Sequence, residues 1–194
     1  MMNRNKIQRI TFIAACVILC ILVSSCGARK KTYSYGKPPA GRSTTEPLPR
    51  DTKRSGNTLS YYADVLGVNP REMNSSLYSF IDNWMGIPHR LGGLSKNGVD
   101  CSAFVGMIYQ EVYRKNLPRT SRDMAEIIKR KYDDQLREGD LVFFSFGGKN
   151  IDHVGIYLHN GKFVHVSTKK GVMISNLKDA WYYKYLTRCG TPGI

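Results

Sequence analysis

Gly98-Val99-Asp100-Cys101-Ser102-Ala103-Phe104-Val105 is the stretch that decides the fold, running on through Met107, Ile108 and Val112. Behind a small, polar entry, Phe104, Ile108 and Val112 recur at helical spacing, with Ala103 and Met107 beside them. Asp100 is a favourable N-cap, so the pattern predicts a helix whose first turn holds Cys101. Unpaired N–H groups and the helix dipole favour negative charge at that point. The position is therefore expected to lower the thiol's pKa and supply thiolate. The alternative reading of Cys101, a small apolar filler, has no need of a helix start.

The chain has 194 residues and a formal net charge of +14. It opens with Arg4, Lys6 and Arg9, followed by an apolar run from Ile10 to Val23. That run is short for a transmembrane helix, and its basic front and small-residue end fit a secretory signal over residues 1–25. The junction Val23-Ser24-Ser25-Cys26-Gly27 looks like a bacterial lipobox, which implies a mature protein lipidated on Cys26 and held at a membrane. Gly27 in place of Asp, by the same analogy, implies the outer membrane of a Gram-negative envelope, facing the periplasm. Cys16 and Cys20 leave with the signal, so Cys101 and Cys189 remain in an oxidising compartment. A disulfide between them competes with a catalytic role for Cys101; Cys189, near the chain end, reads as a structural thiol.

Residues 26–57 are rich in Arg, Lys, Pro, Ser, Thr and Gly, the composition of a basic tether without a core. Residues 58–194 suit one domain of ordinary size, expected to be monomeric. The positive charge suits acidic polymers, anionic lipid or nucleic acid. No nucleic-acid motif accompanies it, and secretion argues against that partner.

Within the domain, Leu59 to Leu66 and Ser75 to Met85 read as short helices, the second striped by Leu77, Phe80, Ile81 and Trp84. After the Cys101 helix, Ser121 is expected to cap another running to about Lys131. From Asp140 the period changes to two. Strands are predicted over Leu141 to Phe146, His153 to Leu158, Lys162 to Ser167 and Val172 to Ser175. A short helix near Leu177–Trp181 and a strand around Tyr183–Arg188 close the chain. Helices first and an antiparallel sheet after is an α+β arrangement.

Cys101, His153 and His165 are the candidates for a nucleophile, its base and an orienting third group. Strand parity tests whether the two histidines share a face. A two-residue Asn160-Gly161 turn puts His165 opposite Ile156, on the wrong face. A three-residue loop, His159-Asn160-Gly161 with Gly161 left-handed, puts His165 opposite Gly155, on the face of His153. The three-residue loop, with its bulge at Gly161, is the expected geometry. His159 itself reads as an exposed loop residue.

Six segments then make a resemblance specific. Arg90-Leu91-Gly92-Gly93, Gly98 to Phe104, Leu117-Pro118-Arg119-Thr120-Ser121, Gly139 to Phe144, Asp152 to Tyr157 and Asn160 to His165 resemble the NlpC/P60 cell-wall cysteine peptidases, in the right order. With the lipobox, the chain most resembles the family's small lipoprotein murein endopeptidases, whose domain is a papain-like α+β fold. The resemblance implies that Cys101 is the nucleophile, His153 the base and His165 the third member of the triad. It places Asp100 and Ser102 where the family contacts its peptide, although Asp100 serves equally as the helix cap. His89 and Arg90 fall beside that substrate site. His89 stands twelve residues before the nucleophile, where the family usually carries Tyr.

The function implied is hydrolysis of peptidoglycan stem or cross-link amides involving D-amino acids and a diamino acid. An amidase or acyltransferase on the same thiol scaffold, and a non-catalytic wall-binding lipoprotein, are the alternatives. No cofactor is expected. No metal is expected either, because no pair of these residues has the close spacing of usual ligands.

Overall fold

A computed structural model describes residues 58–194. The expected leader (1–25), the lipidation site Cys26 and the basic tether (26–57) lie outside the described residues. The described chain begins with helices α1 (Thr58–Leu66) and α2 (Ser75–Trp84), then a small ribbon of β1 (Leu94–Ser95) and β2 (Gly98–Val99). Helices α3 (Cys101–Val112) and α4 (Ser121–Glu126) lead into β3 (Ile128–Arg130) and β4 (Leu141–Phe144). Strands β5 (His153–Tyr157), β6 (Lys162–Ser167) and β7 (Gly171–Asn176), helix α5 (Ala180–Tyr185) and strand β8 (Leu186–Pro192) complete it. Strands β3 to β8 form one antiparallel sheet in the order β3-β8-β4-β5-β6-β7. This is the α+β arrangement read from the change of period at Asp140.

Side-chain alternation divides the sheet's packing in two. Leu141, Phe143, Val154, Ile156, Val164 and Val166 join the core made with the helices, where Leu77, Ile81, Phe104 and Ile108 are fully buried. Val142, Phe144, Phe163 and Cys189 point the other way, into a smaller cluster with Leu177, Tyr183 and Leu186. Each such side chain contributes roughly 1.5–3 kcal/mol on burial, so the helical layer and the sheet are held firmly in register. His153 and His165 have the parity of this second face, which brings them among Phe144, Phe163 and Tyr182.

The β5–β6 register pairs Gly155 with His165, Ile156 with Val164 and Tyr157 with Phe163, as a three-residue loop requires. The bulge, however, sits at His159 rather than at Gly161. Asn160 and Gly161 are both left-handed, at φ 49° and 74°, and the Lys162 N–H closes on the His159 carbonyl at 2.8 Å. The Leu158 N–H reaches past His159 to the Lys162 carbonyl, also at 2.8 Å, leaving His159 as the extra residue. Asn160 is held in its rare conformation because its amide donates to the Leu66 carbonyl at 2.8 Å. His159 is not an exposed loop residue: its ring is half-buried and bonded to Glu138 at 2.9 Å.

Gly155 is a strand position beside the histidines where a side chain does not fit. A Cβ there would stand 2.8 Å from both Phe163 Cδ2 and the Val164 carbonyl oxygen, and 3.2 Å from His165 Cβ. Gly155→Ala is therefore expected to cost about 1–3 kcal/mol and to displace His165. Thermal denaturation and an activity assay on the same preparation check both parts.

Four elements have bounds more than one residue from those the sequence predicts. Helix α4 is capped by Thr120, not Ser121, and stops at Glu126 instead of Lys131. Ile128, Lys129 and Arg130 pair instead with Pro192, Thr191 and Gly190, a tertiary pairing that overrides local helix preference. Strand β4 ends at Phe144, since the Phe146 and Gly147 N–H groups turn to the Asp152 carboxylate. The closing helix and strand sit later than expected, at Ala180–Tyr185 and Leu186–Pro192, because Asn176 and Leu177 remain tied to the sheet and its hairpin. The β1–β2 ribbon, two residues a side, is too short to show a period.

Candidate active site

Helix α3 begins at Cys101, and its cap is built as the sequence implies: Asp100 accepts the Ala103 N–H at 2.7 Å. The same carboxylate also accepts the Gly92 N–H and the Ser102 hydroxyl, and Arg119 grips both its oxygens at 2.6 and 3.1 Å. Burial pushes the Asp100 carboxyl up, but Arg119, the Ala103 N–H and Ser102 outweigh it and hold it below its usual value. Asp100 is thus a saturated anion that fixes the start of α3, with Arg119 also donating to Ser102 at 2.9 Å. Arg119 is a residue the sequence reading left without a role.

The Cys101 thiol is half-buried, and neither it nor Cys189 is in a disulfide. Cys189 lies on the second face of the sheet, its thiol donating to the Lys131 carbonyl at 3.2 Å. The β5–β6 pairing runs from Gly155 to Tyr157; one residue before it, the Val154 N–H is close enough to the Cys101 sulfur to favour its anion. The thiol therefore sits at the splayed end of the ribbon, against the residue that follows His153. The N–H groups of Cys101 and Ser102 also point to the sulfur.

These donors do not lower the thiol pKa as the helix start alone predicts. Burial dominates and, with the Asp100 charge, pushes the thiol above its ordinary value despite the three N–H groups. At neutral pH the resting sulfur is S–H.

The two imidazoles are bonded to each other. His153 Nε2 and His165 Nδ1 are 3.0 Å apart, with ring planes at 88°. That contact occupies one nitrogen of His153 and leaves Nδ1 as its available base. Behind His165, its Nε2 meets Ser175 Oγ at 3.0 Å and the Tyr182 hydroxyl at 3.2 Å. Ser175 and Tyr182 were not singled out from sequence. The only signal was that Ser175 shares β7 with residues facing β6, a polar residue in an apolar strand.

Both rings are kept neutral. Burial drives His153 from 6.5 down to about 4, with His89 adding to the effect and Asp152 opposing it. Burial, then the neighbouring His153, holds His165 well below its usual value. In the unfolded chain each ring takes a proton near pH 6.5, which the folded protein refuses. Stability is accordingly complete above pH ~6.5 and is lost as pH falls toward about 4. The slope approaches about 1.4 kcal/mol per unit for each ring. Urea unfolding between pH ~7 and ~5, where most carboxylates stay ionised, will show this decline, and His165→Asn will roughly halve it.

Of the remaining sequence candidates, His89 is half-buried, bridges Val99 through its backbone and is close enough to His153 to act on its charge. Arg90 is exposed, its aliphatic stem lying over Gly98. A cleft of about 160 Å³ is lined by Ser167, Lys169, Lys170, Met173, Asp179, Trp181 and Tyr182, the last of which also reaches His165. Among the described residues, no group of three His, Cys, Asp or Glu side chains is placed to hold a metal ion.

Helices followed by an antiparallel sheet, with a thiol at a helix start and a pair of bonded imidazoles on adjacent strands, define the class of α+β fold to which this domain conforms. The chain belongs to the NlpC/P60 family, whose profile matches residues 86–191. It is 44% identical over 105 residues to the probable endopeptidase NlpC of Escherichia coli K12, covering 54% of this chain and 68% of that protein. It is 39% identical over 113 residues to the murein DD-endopeptidase MepS/murein LD-carboxypeptidase of the same organism, covering 58% and 60% of the two chains. The described fold resembles the crystal structure of an NlpC/P60 family protein from Bacillus cereus, with a TM-score of 0.57 and 25% identity. That match covers 62% of this chain and 40% of the other. The NlpC/P60 domain of peptidoglycan hydrolase SagA is similar in fold, at a TM-score of 0.52 and 21% identity over 61% of this chain and 97% of that one.

Proposed function

We propose that this protein is a peptidoglycan endopeptidase in which Cys101 is the nucleophile, His153 the base and His165 its orienting partner. One observation carries the reading: Cys101 stands at the start of α3, its sulfur within the influence of the Val154 N–H, the residue after a His153 that is bonded to His165. The similarity to the murein DD-endopeptidase MepS supports the substrate class.

Because the resting pair is S–H and neutral imidazole, proton transfer accompanies attack. His153 Nδ1 takes the thiol proton as sulfur bonds to the amide carbon. The carbonyl oxygen becomes an oxyanion, stabilised by the Cys101 N–H at the helix start. Collapse breaks the C–N bond; His153 returns the proton to the departing amine, and a thioester remains on Cys101. Water, deprotonated by His153, then releases the acid and restores the thiol. Across one turnover a peptide bond and one water become a carboxylic acid and an amine.

The scissile amides are those of stem peptides or cross-links that join D-amino acids and a diamino acid. Their carboxylates suit the lysine-lined cleft beside Tyr182 and the chain's net charge of +14. Asp100, whose oxygens are already engaged, holds the helix start, while Ser102, His89 and Arg90 border the peptide. The lipobox-like junction at Cys26 supports a protein tethered by lipid to the outer membrane and facing the periplasm, acting there as a monomer in this reading.

Mass spectrometry of purified muropeptides before and after digestion tests the reading. Fragments that gain one water and expose a new amine support it. Transfer of the acyl group to another amine, or an unchanged muropeptide pattern, would overturn it.

A further inference from the structure

His165 is almost completely buried, so each ring nitrogen must find its partner within the protein. On one side is His153 Nε2; on the other lie two hydroxyls, Ser175 Oγ at 3.0 Å and Tyr182 at 3.2 Å from His165 Nε2. The two hydroxyls also lie within hydrogen-bond reach of each other, Ser175 Oγ and the Tyr182 oxygen being 3.3 Å apart.

We propose that Ser175 and Tyr182 are positioning residues that hold the proton of His165 on Nε2 and, through His165, leave His153 Nδ1 bare for the Cys101 proton. The inference deepens the thiol-hydrolase reading and rests on it. A serine hydroxyl has one proton to give. With that of Ser175 turned to Tyr182, as their 3.3 Å separation allows, Ser175 offers His165 only lone pairs, and Nε2 is the donor. A neutral ring carries one N–H, so His165 Nδ1 is an acceptor and His153 Nε2 the proton that fills it. His153 is left with a lone pair on Nδ1. Both rings are neutral because burial disfavours their charged forms.

The opposite arrangement is complete on paper and catalytically wrong. If Tyr182 donated to His165 Nε2, the His165 proton would move to Nδ1 and His153 Nε2 would have to accept it. His153 would then present Nδ1–H to a protonated thiol, two donors with no base between them. Ser175 decides between the states by occupying the Tyr182 oxygen and accepting from His165. Tyr182, only half-buried, keeps water for its own O–H, so the productive state leaves no polar group stranded.

Long-range ¹H–¹⁵N spectra of histidine-labelled wild-type protein test this without any substitution. Both His153 and His165 are expected as Nε2–H tautomers; Nδ1–H on either ring overturns the proposal. Tyr182→Phe frees the Ser175 proton for His165 Nε2. It should move both rings toward the Nδ1–H form and lower kcat by on the order of tenfold to a hundredfold. Ser175→Thr, which keeps the hydroxyl, should retain the wild-type spectrum and rate. Folded Tyr182→Phe protein with unchanged spectrum and kcat would overturn the assignment. Because the spectra need no substrate, they decide the tautomer even if muropeptide digestion fails and the hydrolase reading falls.

Discussion

Cys101→Ala will remove muropeptide hydrolysis, lowering kcat/KM by on the order of 10⁴-fold or more, while the protein stays folded. The size follows from the chemistry: without sulfur there is no acyl-enzyme, and the oxyanion site and peptide contacts alone must act on water. Cys101→Ser is expected to be nearly as inactive, because a serine hydroxyl is harder to ionise than a thiol in a site that already disfavours charge. Folding should survive both changes, since Cys101 is half-buried and the cap of α3 is made by Asp100, Arg119 and Ser102 rather than by sulfur. Cys189→Ser is the control. It preserves a donor to the Lys131 carbonyl from β8, two strands away from His153 on β5, and its activity should match wild type. Full lytic activity in the Cys101→Ala protein would end the covalent mechanism.

His153→Asn will lower kcat by about 10²- to 10⁴-fold at neutral pH, the usual range for loss of a positioned base. The pH dependence separates this from simple damage. In wild type, His153 stays neutral down to about 4, so the base is available across the neutral and mildly acidic range. In the variant the thiol must ionise by itself, and burial holds its pKa above the ordinary 9.0. Residual activity should therefore climb about tenfold per pH unit and keep climbing beyond pH ~9, where wild type is level. A variant whose rate stayed flat with pH would show that His153 does not take the thiol proton.

Much of this site was legible in the linear chain because its determinants are local. The cap-then-apolar pattern from Asp100 to Val112 places Cys101 at a helix start, and α3 begins there. Loop length between β5 and β6 sets the parity of the two histidines, and His165 indeed faces Gly155. The bulge moved from Gly161 to His159 for a non-local reason: Leu66, on α1, holds Asn160 in a left-handed conformation. Helix α4 was read too long for the same kind of reason, since Ile128 to Arg130 are captured by β8 from the far end of the chain.

By itself, then, the sequence determined which residue types stand at a helix start and on one strand face, because capping and alternation are set by neighbours a few residues away. Tertiary structure alone decided what surrounds them. It brought Arg119 onto Asp100, Ser175 and Tyr182 onto His165, and the Val154 N–H close to sulfur. It also reversed the expected ionisation of Cys101, for desolvation depends on how completely distant segments exclude water, and here that outweighs the favourable field of a helix end.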